Sequence, residues 1–353
     1  MHRTDEPHDV VHLGLPPEAG LEQSLEWAVA HAALAPSEHN SQPWSFRATL
    51  RDGAATVDLL LDESRRLEVV DPDQREAVLA CGAALLNLRL ALAGAGLGVV
   101  VVSCPDPERP ELLARLSVGG ETVERDVDGP LRLAVPLRGT HRGPFESTDV
   151  PSELVAHLVA EAALEGAFVA PAEGAAHAEV VRLTVAAEES LWSDAAYRRE
   201  AAAWSRANST GQHDGVPGYA SGLGAVRSWL QPTLAVATGR PAWSLEEMLE
   251  AGYHAPVLLV IGSPDDSRPA VLRAGQAMQR LLLRARAERL AASYLNGSLH
   301  MPELRKDLGA LVQVPAPQVV VRLGYGELVR PTPRRGVAEL LVVEREHSDR
   351  RPG

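Results

Sequence analysis

The segment REAVLACGAALLNLRLALAGAGLG at residues 75–98 recurs as RPAVLRAGQAMQRLLLRARAERLA at residues 268–291. This repeat is the strongest indication of the fold. The offset is a constant 193 positions, and nine residue pairs are identical. In both copies apolar residues occupy most of the helical circumference, which predicts two long helices buried at the centre of the protein. The identical pairs are Arg75/Arg268, Ala77/Ala270, Val78/Val271, Leu79/Leu272, Gly82/Gly275, Ala84/Ala277, Leu88/Leu281, Leu90/Leu283 and Leu97/Leu290.

The segments around these two helices repeat in the same order. Each helix follows a predicted strand and precedes a short predicted helix and then a β-rich run. The three pairs of segments are 57–62 and 256–263, 110–116 and 302–308, and 131–137 and 318–323. Two copies are too few for a solenoid, so the repeat predicts an intramolecular dimer of two α+β halves, residues 1–137 and 138–353. The alternative is chance similarity between helices rich in alanine and leucine.

Composition and charge exclude several classes of protein. The 353 residues suggest two domains, at about 150 residues each. The net charge of −13 argues against nucleic acid or an anionic membrane as a partner, and two cysteines cannot form a disulfide framework. Apolar runs fall far short of the ~20 residues of a membrane span. The polar N-terminus does not resemble a signal peptide, so we expect a cytoplasmic bacterial protein.

A long insert is predicted at about residues 188–250. Its first part, EESLWSDAAYRREAAAWSR, predicts an amphipathic helix that carries Trp192 and Trp204. The following residues are rich in Gly, Ser and Asn and include Asp214 and Val216. A connection of this length without a periodic pattern is typical of a functional lid or a mobile linker. We favour a lid, because the aromatic side chains could cover a flat ligand.

A polar turn, APSEHNSQPWSF at residues 35–46, follows the amphipathic helix predicted for residues 21–34. Pro36 ends that helix, and Ser37, Asn40 and Gln42 offer hydrogen-bond donors and acceptors in a constrained turn. Such a set suits the edge of a polar heteroaromatic ligand. It would also suit a helix C-terminus that satisfies its own carbonyl groups, and composition does not separate the two.

Two arginine motifs follow predicted strands. RGTHR at residues 138–142 places two guanidinium groups four residues apart with a hydroxyl between them, which suits a phosphate; a basic surface turn is the alternative. RPTPRR at residues 330–335 suits either an anion or a proline-stiffened tail. Because Lys306 is the single lysine, an anion site here must use arginine, backbone N–H groups or helix termini.

Other signals are weak. His8 and His12 have helical spacing but no third ligand and lie in a stretch expected to fray, so no metal site is predicted. Glycines at residues 94–98 end a helix and therefore cannot form a dinucleotide-binding turn. Cys81 lies on the buried helix, where a small apolar side chain is the expected role.

The motifs together resemble the FMN-dependent nitroreductase superfamily. APSEHNSQPW is similar to its PSxxNxQPW signature, RGTHR to its RRSxR phosphate motif, and TPRR to its C-terminal basic motif. The order of these parts and the duplicated helix resemble the Acg-type fused members, from about Leu21 to Ala338. This resemblance implies a three-layer α+β fold, internally duplicated so that one chain mimics the family homodimer.

The resemblance also implies a cofactor site. FMN would lie between the halves, with no catalytic side chain assigned because the chemistry is centred on the flavin. The implied binding residues are Ser37, His39, Asn40 and Gln42 for the ring and ribityl edge, Arg138, Thr140 and Arg142 with Arg334 or Arg335 for the phosphate, and Ala292 and Ser293 along the ring. Trp192, Trp204, Asp214 and Val216 would form the lid.

The implied function is hydride transfer from NAD(P)H to a nitroaromatic, quinone-like or specialised acceptor. The alternative is a flavin-sequestering protein whose lid blocks hydride donors. Two departures bear on turnover: the Glu-Gly pair of ordinary members is absent after the second long helix, and no lysine is available near the flavin. We expect one FMN per chain, because residues 170–174 lack the polar set of the first turn, and a monomer, with a homodimer left open.

Overall fold

The structure is a computed structural model that describes residues 5–122, 128–239, 247, 250, 252 and 254–346. Helices and strands are interspersed along this part of the chain. The helices are α1 Pro7–Leu13, α2 Leu21–Ala33, α3 Arg75–Gly94, α4 Gly129–Ala134, α5 Ser152–Ala163, α6 Gly174–Ser193, α7 Ala195–Ala203, α8 Ala225–Thr238, α9 Arg268–Ala287, α10 Pro302–Val312 and α11 Val337–Leu340. The strands are β1 Trp44–Arg51, β2 Ala54–Leu61, β3 Leu97–Ser103, β4 Leu112–Glu121, β5 Phe168–Pro171, β6 Ser205–Arg206, β7 Val216–Pro217, β8 Val257–Ser263, β9 Leu290–Tyr294, β10 Ala316–Tyr325 and β11 Leu341–Arg345.

Two main sheets share one strand order. The first runs β11-β1-β2-β4-β3 and the second β5-β8-β10-β9. Without β11, each sheet contains two strands that precede its long helix and two that follow it, all paired antiparallel. β11 comes from the far end of the chain and pairs parallel with β1. The internally duplicated α+β fold is therefore confirmed.

The two long helices, α3 and α9, pack directly on each other at the centre. Gly82 and Gly275 meet there: a Cβ on either one would lie 3.0 Å from the Cα of the other. These residues are one of the nine identical sequence pairs, so the contact lies where a twofold axis between two equal halves would pass. α3 is long and apolar enough to cross a bilayer, but 78% of its most apolar segment is buried inside the protein. It is a core helix.

Buried apolar side chains on both faces of the second sheet give a three-layer half. Leu259 and Ile261 of β8 belong to the main core, which includes α3 and α9. Leu258 and Val260 point the other way and pack with α6 and α10. All seven residues of β8 are buried, as a strand covered by helices on both faces requires.

Two predicted segments have a different structure. Residues 131–137 are not β-rich: they form the end of α4 and a 3-10 turn, with Leu131, Ala134 and Val135 buried at helical spacing. Residues 110–116 do not form a helix. Most of them belong to β4, where burial alternates from Ala114 to Val118, as a half-buried strand requires. Pairing with β2 and β3 decides this segment.

The insert lies between β5 and β8, whereas β1 and β2 are joined by the turn Asp52-Gly53. The helix predicted for residues 188–206 is two helices, because α6 ends at Ser193 and the Asp194 carboxylate accepts a hydrogen bond of 2.8 Å from the Ala196 N–H at the start of α7. Residues 240–246, 248 and 249 of the predicted insert lie outside the described residues, as do 1–4, 123–127 and 347–353 of the predicted halves. The domain boundaries stay a prediction.

A buried histidine in α2 predicts acid destabilisation. His31 is 2% exposed and its Nδ1 lies 2.9 Å from the Trp27 carbonyl oxygen. Burial lowers its pKa to about 4. As pH falls from 6.5 to 4, this histidine is protonated in the unfolded chain but stays neutral in the native state. The free energy of unfolding therefore falls by up to about 1.4 kcal/mol per pH unit. Urea unfolding should show this loss in the wild type and not in His31→Gln; parallel curves would contradict it.

Candidate functional site

The polar turn between α2 and β1 has an unusual backbone. His39, Asn40 and Gln42 have φ angles of +51°, +55° and +52°, a region that non-glycine residues rarely adopt. The Ser37 Oγ accepts a hydrogen bond of 2.9 Å from the Gln42 N–H, which closes the turn. Strained residues persist where surrounding structure holds them, and they concentrate at functional sites. The turn is therefore a candidate binding element.

Asn40 joins this turn to two distant segments. Its Nδ2 donates to the carbonyl oxygens of Gly215, at 3.0 Å, and Pro333, at 3.1 Å. Its Oδ1 accepts from the Arg334 Nη1 at 2.8 Å. One side chain of the first half thus satisfies groups from the insert and from the C-terminal arginine motif.

A cavity of about 190 Å³ lies where these segments meet. Residues from the polar turn and from both arginine motifs line it. Among the predicted cofactor-binding residues, those on its wall are Ser37, His39, Asn40, Arg138, Thr140, Arg142 and Arg334. The structure therefore brings together motifs that are up to about three hundred positions apart in the chain.

A second cavity, of about 290 Å³, continues from the first. Both are lined by Glu38, His39, Thr140, Arg142, Val216, Tyr294 and Asn296. Trp192, Tyr197 and Trp204 of the insert contribute an aromatic wall to the second cavity, and Ser293 also lines it. The cleft therefore has an arginine-rich end and an aromatic end.

Four predicted site residues are engaged elsewhere, three through their side chains and Ala292 through its backbone. Gln42 is fully buried; its Nε2 donates to the His213 carbonyl oxygen at 2.8 Å and its Oε1 accepts from the Arg335 N–H at 2.9 Å. Arg335 lies 3.4 Å from the Asp62 carboxylate. Asp214 pairs with Arg65 and with Arg206, and the Ala292 carbonyl accepts from the His141 N–H at 2.8 Å. The residues that line the two cavities do not include these four.

Three arginines meet at the arginine-rich end, where Glu38 acts on Arg142 and Glu6 on Arg334 without a direct ion pair. Within the described part of the chain, Arg138, Arg142 and Arg334 form no ion pair with a carboxylate, and the Nε atoms of Arg138 and Arg334 are buried without a partner. Burial, then the neighbouring Arg138, lowers the pKa of Arg334 to about 9, and burial lowers the pKa of Arg138 and Arg142. Such a cluster is costly unless an anion occupies it.

Sequence reasoning missed the position of His8 at this end. His8 lines the first cavity from α1, and burial with the nearby Arg334 lowers its pKa to about 4. The prediction that this part of the chain is frayed is wrong, because Glu6 caps α1 and Pro7 begins it, a start signal that the sequence does contain. Tyr294, in the loop that the resemblance places along the flavin ring, is a half-buried wall residue that hydrogen-bonds Arg138, and desolvation raises the pKa of its hydroxyl.

Comparisons with known proteins identify relatives over 90% of the chain. The acg protein of Mycobacterium tuberculosis, a provisionally named NAD(P)H nitroreductase, is 31% identical over 339 residues, which cover 90% of this chain and 95% of that protein. A second protein of that organism with the same provisional name is 28% identical over 329 residues, 90% and 91% of the two chains.

A solved structure supports the fold over the same length. A provisionally named nitroreductase from Anabaena variabilis superimposes with a TM-score of 0.51 at 10% identity and covers 90% of this chain and 91% of that one. The sequence profile of the nitroreductase family matches residues 137–325, more than half of the chain. The chain therefore belongs to the nitroreductase family.

Proposed function

We propose that this protein is an FMN-dependent oxidoreductase that transfers a hydride from NAD(P)H to a nitroaromatic, quinone-like or related small acceptor. One FMN per chain would bind in the cleft between the polar turn and the arginine motifs. The observation that carries this proposal is a cluster of arginines at one end of a cleft whose other end is aromatic. Arg334 is buried and Arg138 and Arg142 are half-buried, and none of the three forms an ion pair with a carboxylate among the described residues.

The residues present fit FMN. A phosphate dianion would satisfy the three guanidinium groups, and arginine binds phosphate through charge-assisted, bidentate hydrogen bonds. The remaining wall combines short polar side chains, such as Ser37 and Ser293, with Trp192 and Trp204. Bound FMN would supply two-electron acceptance and donation. The chain's own residues would bind and orient the cofactor and exclude water from its surroundings.

The counterpart of the polar turn supports a single site per chain. α5 ends at Ala163 and β5 begins at Phe168, so the counterpart is residues 164–167, and the sequence prediction of 170–174 was wrong. This stretch has no Ser, Asn or Gln. Its one ionisable side chain, Glu165, pairs with Arg89 at 2.8 Å and with Arg280 at 3.0 Å. It therefore offers no equivalent set of donors and acceptors.

The insert favours a second candidate, a flavin-sequestering protein. Gln231 and Ala235 of α8 line the second cavity together with Trp192 and Trp204. A wall made by an insert could block access of a nicotinamide to the bound cofactor. The two candidates differ in one measurable property, the reactivity of bound FMN with NAD(P)H.

Anaerobic reduction tests the proposal. The purified full chain should take up about one FMN per chain, and NADPH or NADH should bleach its flavin absorbance. A protein that takes up no FMN would overturn both candidates. Bound FMN that dithionite reduces but neither nicotinamide does would overturn the oxidoreductase and support sequestration.

Removing part of the aromatic wall should speed this bleaching. Trp204→Ala opens the second cavity, and we expect a rate increase of about tenfold, equivalent to about 1.4 kcal/mol of activation free energy. Trp229→Ala is the matched control, because Trp229 is 71% exposed on α8 in the same insert. Equal rates in both variants and in the wild type would show that the wall does not limit access.

A further inference from the structure

A buried ion pair lies beside the second cavity. The His300 Nε2 lies 2.9 Å from the Glu76 Oε1, with the two side chains only 7% and 4% exposed. Glu76 is in the first turn of α3, and His300 is in the turn before α10. Glu76 also lines the first cavity and His300 the second. The cofactor-binding motifs do not include this pair.

The second ring nitrogen of His300 has no partner. Its Nδ1 is buried and makes no hydrogen bond to any described residue. In an imidazolium whose Nε2–H donates to Glu76, the Nδ1–H is the one remaining donor of the ring. The Nδ1 atom itself is shielded from open space, but His300 is part of the wall of the second cavity, so a polar group that packs against this part of the wall is the acceptor assigned to that proton.

The surroundings favour the charged imidazolium. Burial and the charge of Arg75 act to lower the pKa of His300. The charge and hydrogen bond of Glu76, together with the charge of Glu38, outweigh them and raise this pKa to about 9. Glu188 of α6 also faces it, and His300 acts to lower the pKa of that carboxyl against the larger effect of burial. An ordinary histidine, with a pKa near 6.5, would be largely neutral at pH 7.5. His300 should therefore hold its proton at neutral pH.

We propose that His300 donates a proton to the substrate bound in the second cavity, and that Glu76 is the residue that positions and charges it. This inference rests on the proposed function. A carboxylate that holds one nitrogen of a histidine fixes its orientation and stabilises its protonated form. Proton donation by a positioned side chain contributes typically 10²–10⁴-fold to rate.

The step balances for a nitroaromatic acceptor: ArNO₂ + NAD(P)H + H⁺ gives ArNO + NAD(P)⁺ + H₂O. The acceptor gains the electron pair that NAD(P)H loses. The Nδ1–H bond of His300 breaks and one O–H bond forms on a nitro oxygen. The hydrogen that NAD(P)H gives up supplies the second O–H bond, the N–O bond breaks, and that oxygen leaves as water. The neutral imidazole keeps its Nε2–H bond to Glu76 and regains its proton from water that enters the second cavity after the product leaves.

The first test is titration of His300 by NMR in the full chain labelled with ¹⁵N-histidine, with His300→Gln identifying the signal. The ring should remain protonated at pH 8, and Glu76→Gln should lower its pKa by more than one unit. A His300 that titrates near or below 6.5 in the wild type would overturn the inference. This readout requires no flavin and is therefore independent of the proposed function.

The second test separates the two half-reactions. Flavin reduced photochemically is mixed anaerobically with p-nitrobenzoate or benzoquinone in the wild type, His300→Gln and Glu76→Gln. We expect His300→Gln to slow nitro reduction about 100-fold and quinone reduction much less, since a quinone oxygen need not leave. The rate of nitro reduction should begin to decline at a lower pH in Glu76→Gln than in the wild type.

His157→Gln is the control, because His157 forms its own pair with Glu161, at 3.6 Å, and lines neither cavity. Protein that takes up FMN and reduces p-nitrobenzoate equally fast with and without His300 would overturn this inference alone. Protein that takes up no FMN would overturn the proposed function and this inference with it. Circular dichroism of each variant checks that it is folded.

Discussion

Replacing Arg142 by alanine is expected to weaken FMN binding by about 10- to 150-fold. A hydrogen bond to a charged partner is worth about 1.5–3 kcal/mol. Arg142 is a half-buried residue on the cavity wall, and its Nη1 donates to the Ala220 carbonyl oxygen at 3.2 Å. Titration of the apoprotein with FMN, followed by quenching of flavin fluorescence, measures the loss. Binding of riboflavin, which lacks the phosphate, should change little.

The same substitution should leave the apoprotein as stable as before or more stable. Arg142 repels the neighbouring Arg322, and burial costs its guanidinium hydration, so removing this charge relieves both effects. Arg273→Ala, on the exposed side of α9, is the matched control and should leave FMN affinity and stability unchanged. An Arg142→Ala protein that binds FMN and riboflavin with wild-type affinity would contradict the phosphate role.

Gly82→Ala is expected to lower the free energy of unfolding by about 2 kcal/mol. The new methyl group would lie 3.0 Å from the Gly275 Cα and closer still to the Leu272 carbonyl oxygen. Both are backbone atoms, so no side-chain rotation relieves the contact and the two helices must separate. Overpacking costs about 1–3 kcal/mol, and the gain from alanine in a helix, at most about 1 kcal/mol, does not offset a strong clash. Urea unfolding measures the change.

Gly275→Ala should have an effect of similar size, because its Cβ meets the Leu79 carbonyl oxygen and the Gly82 Cα in the same way. The double variant should cost less than the sum of the two, since helices already separated by one methyl group accommodate the second. Gly211→Ala is the control, as a Cβ there would contact nothing within 4 Å. Wild-type stability in both interface variants would show that the helices are not in close contact.

The parts of the fold that the sequence predicted are those with strong local periodicity. The two long helices repeat a buried pattern that needs no tertiary information, and both were confirmed. Residues 112–121 and 131–137 could not be assigned in this way. Pairing with β2 and β3 makes the first segment a strand, and packing against α9 favours the helical conformation of the second. A short apolar run fits a helix or a strand equally well until its partners are known.

For the candidate site, motifs were predictable and individual orientations were not. The polar turn and the RGTHR motif carry a recognisable pattern of donors and charges, and the structure brings them to one cleft. Arg334 and Arg335 are adjacent in an irregular tail, and only the packed structure shows that the first lines the cavity while the second lies against Asp62. His8 and His300 are single histidines without any local pattern, and their positions depend on contacts far along the chain.

The parallel pairing of β11 with β1 has a consequence for synthesis on the ribosome. Phe46 and its neighbours in β1 pair with residues 341–345, so the edge of the first sheet stays open until nearly the whole described chain has been translated. An open, half-apolar strand edge invites pairing with other nascent chains. The first sheet is therefore completed only when the last strand has been made, and a stop codon at position 341 would leave this edge permanently exposed.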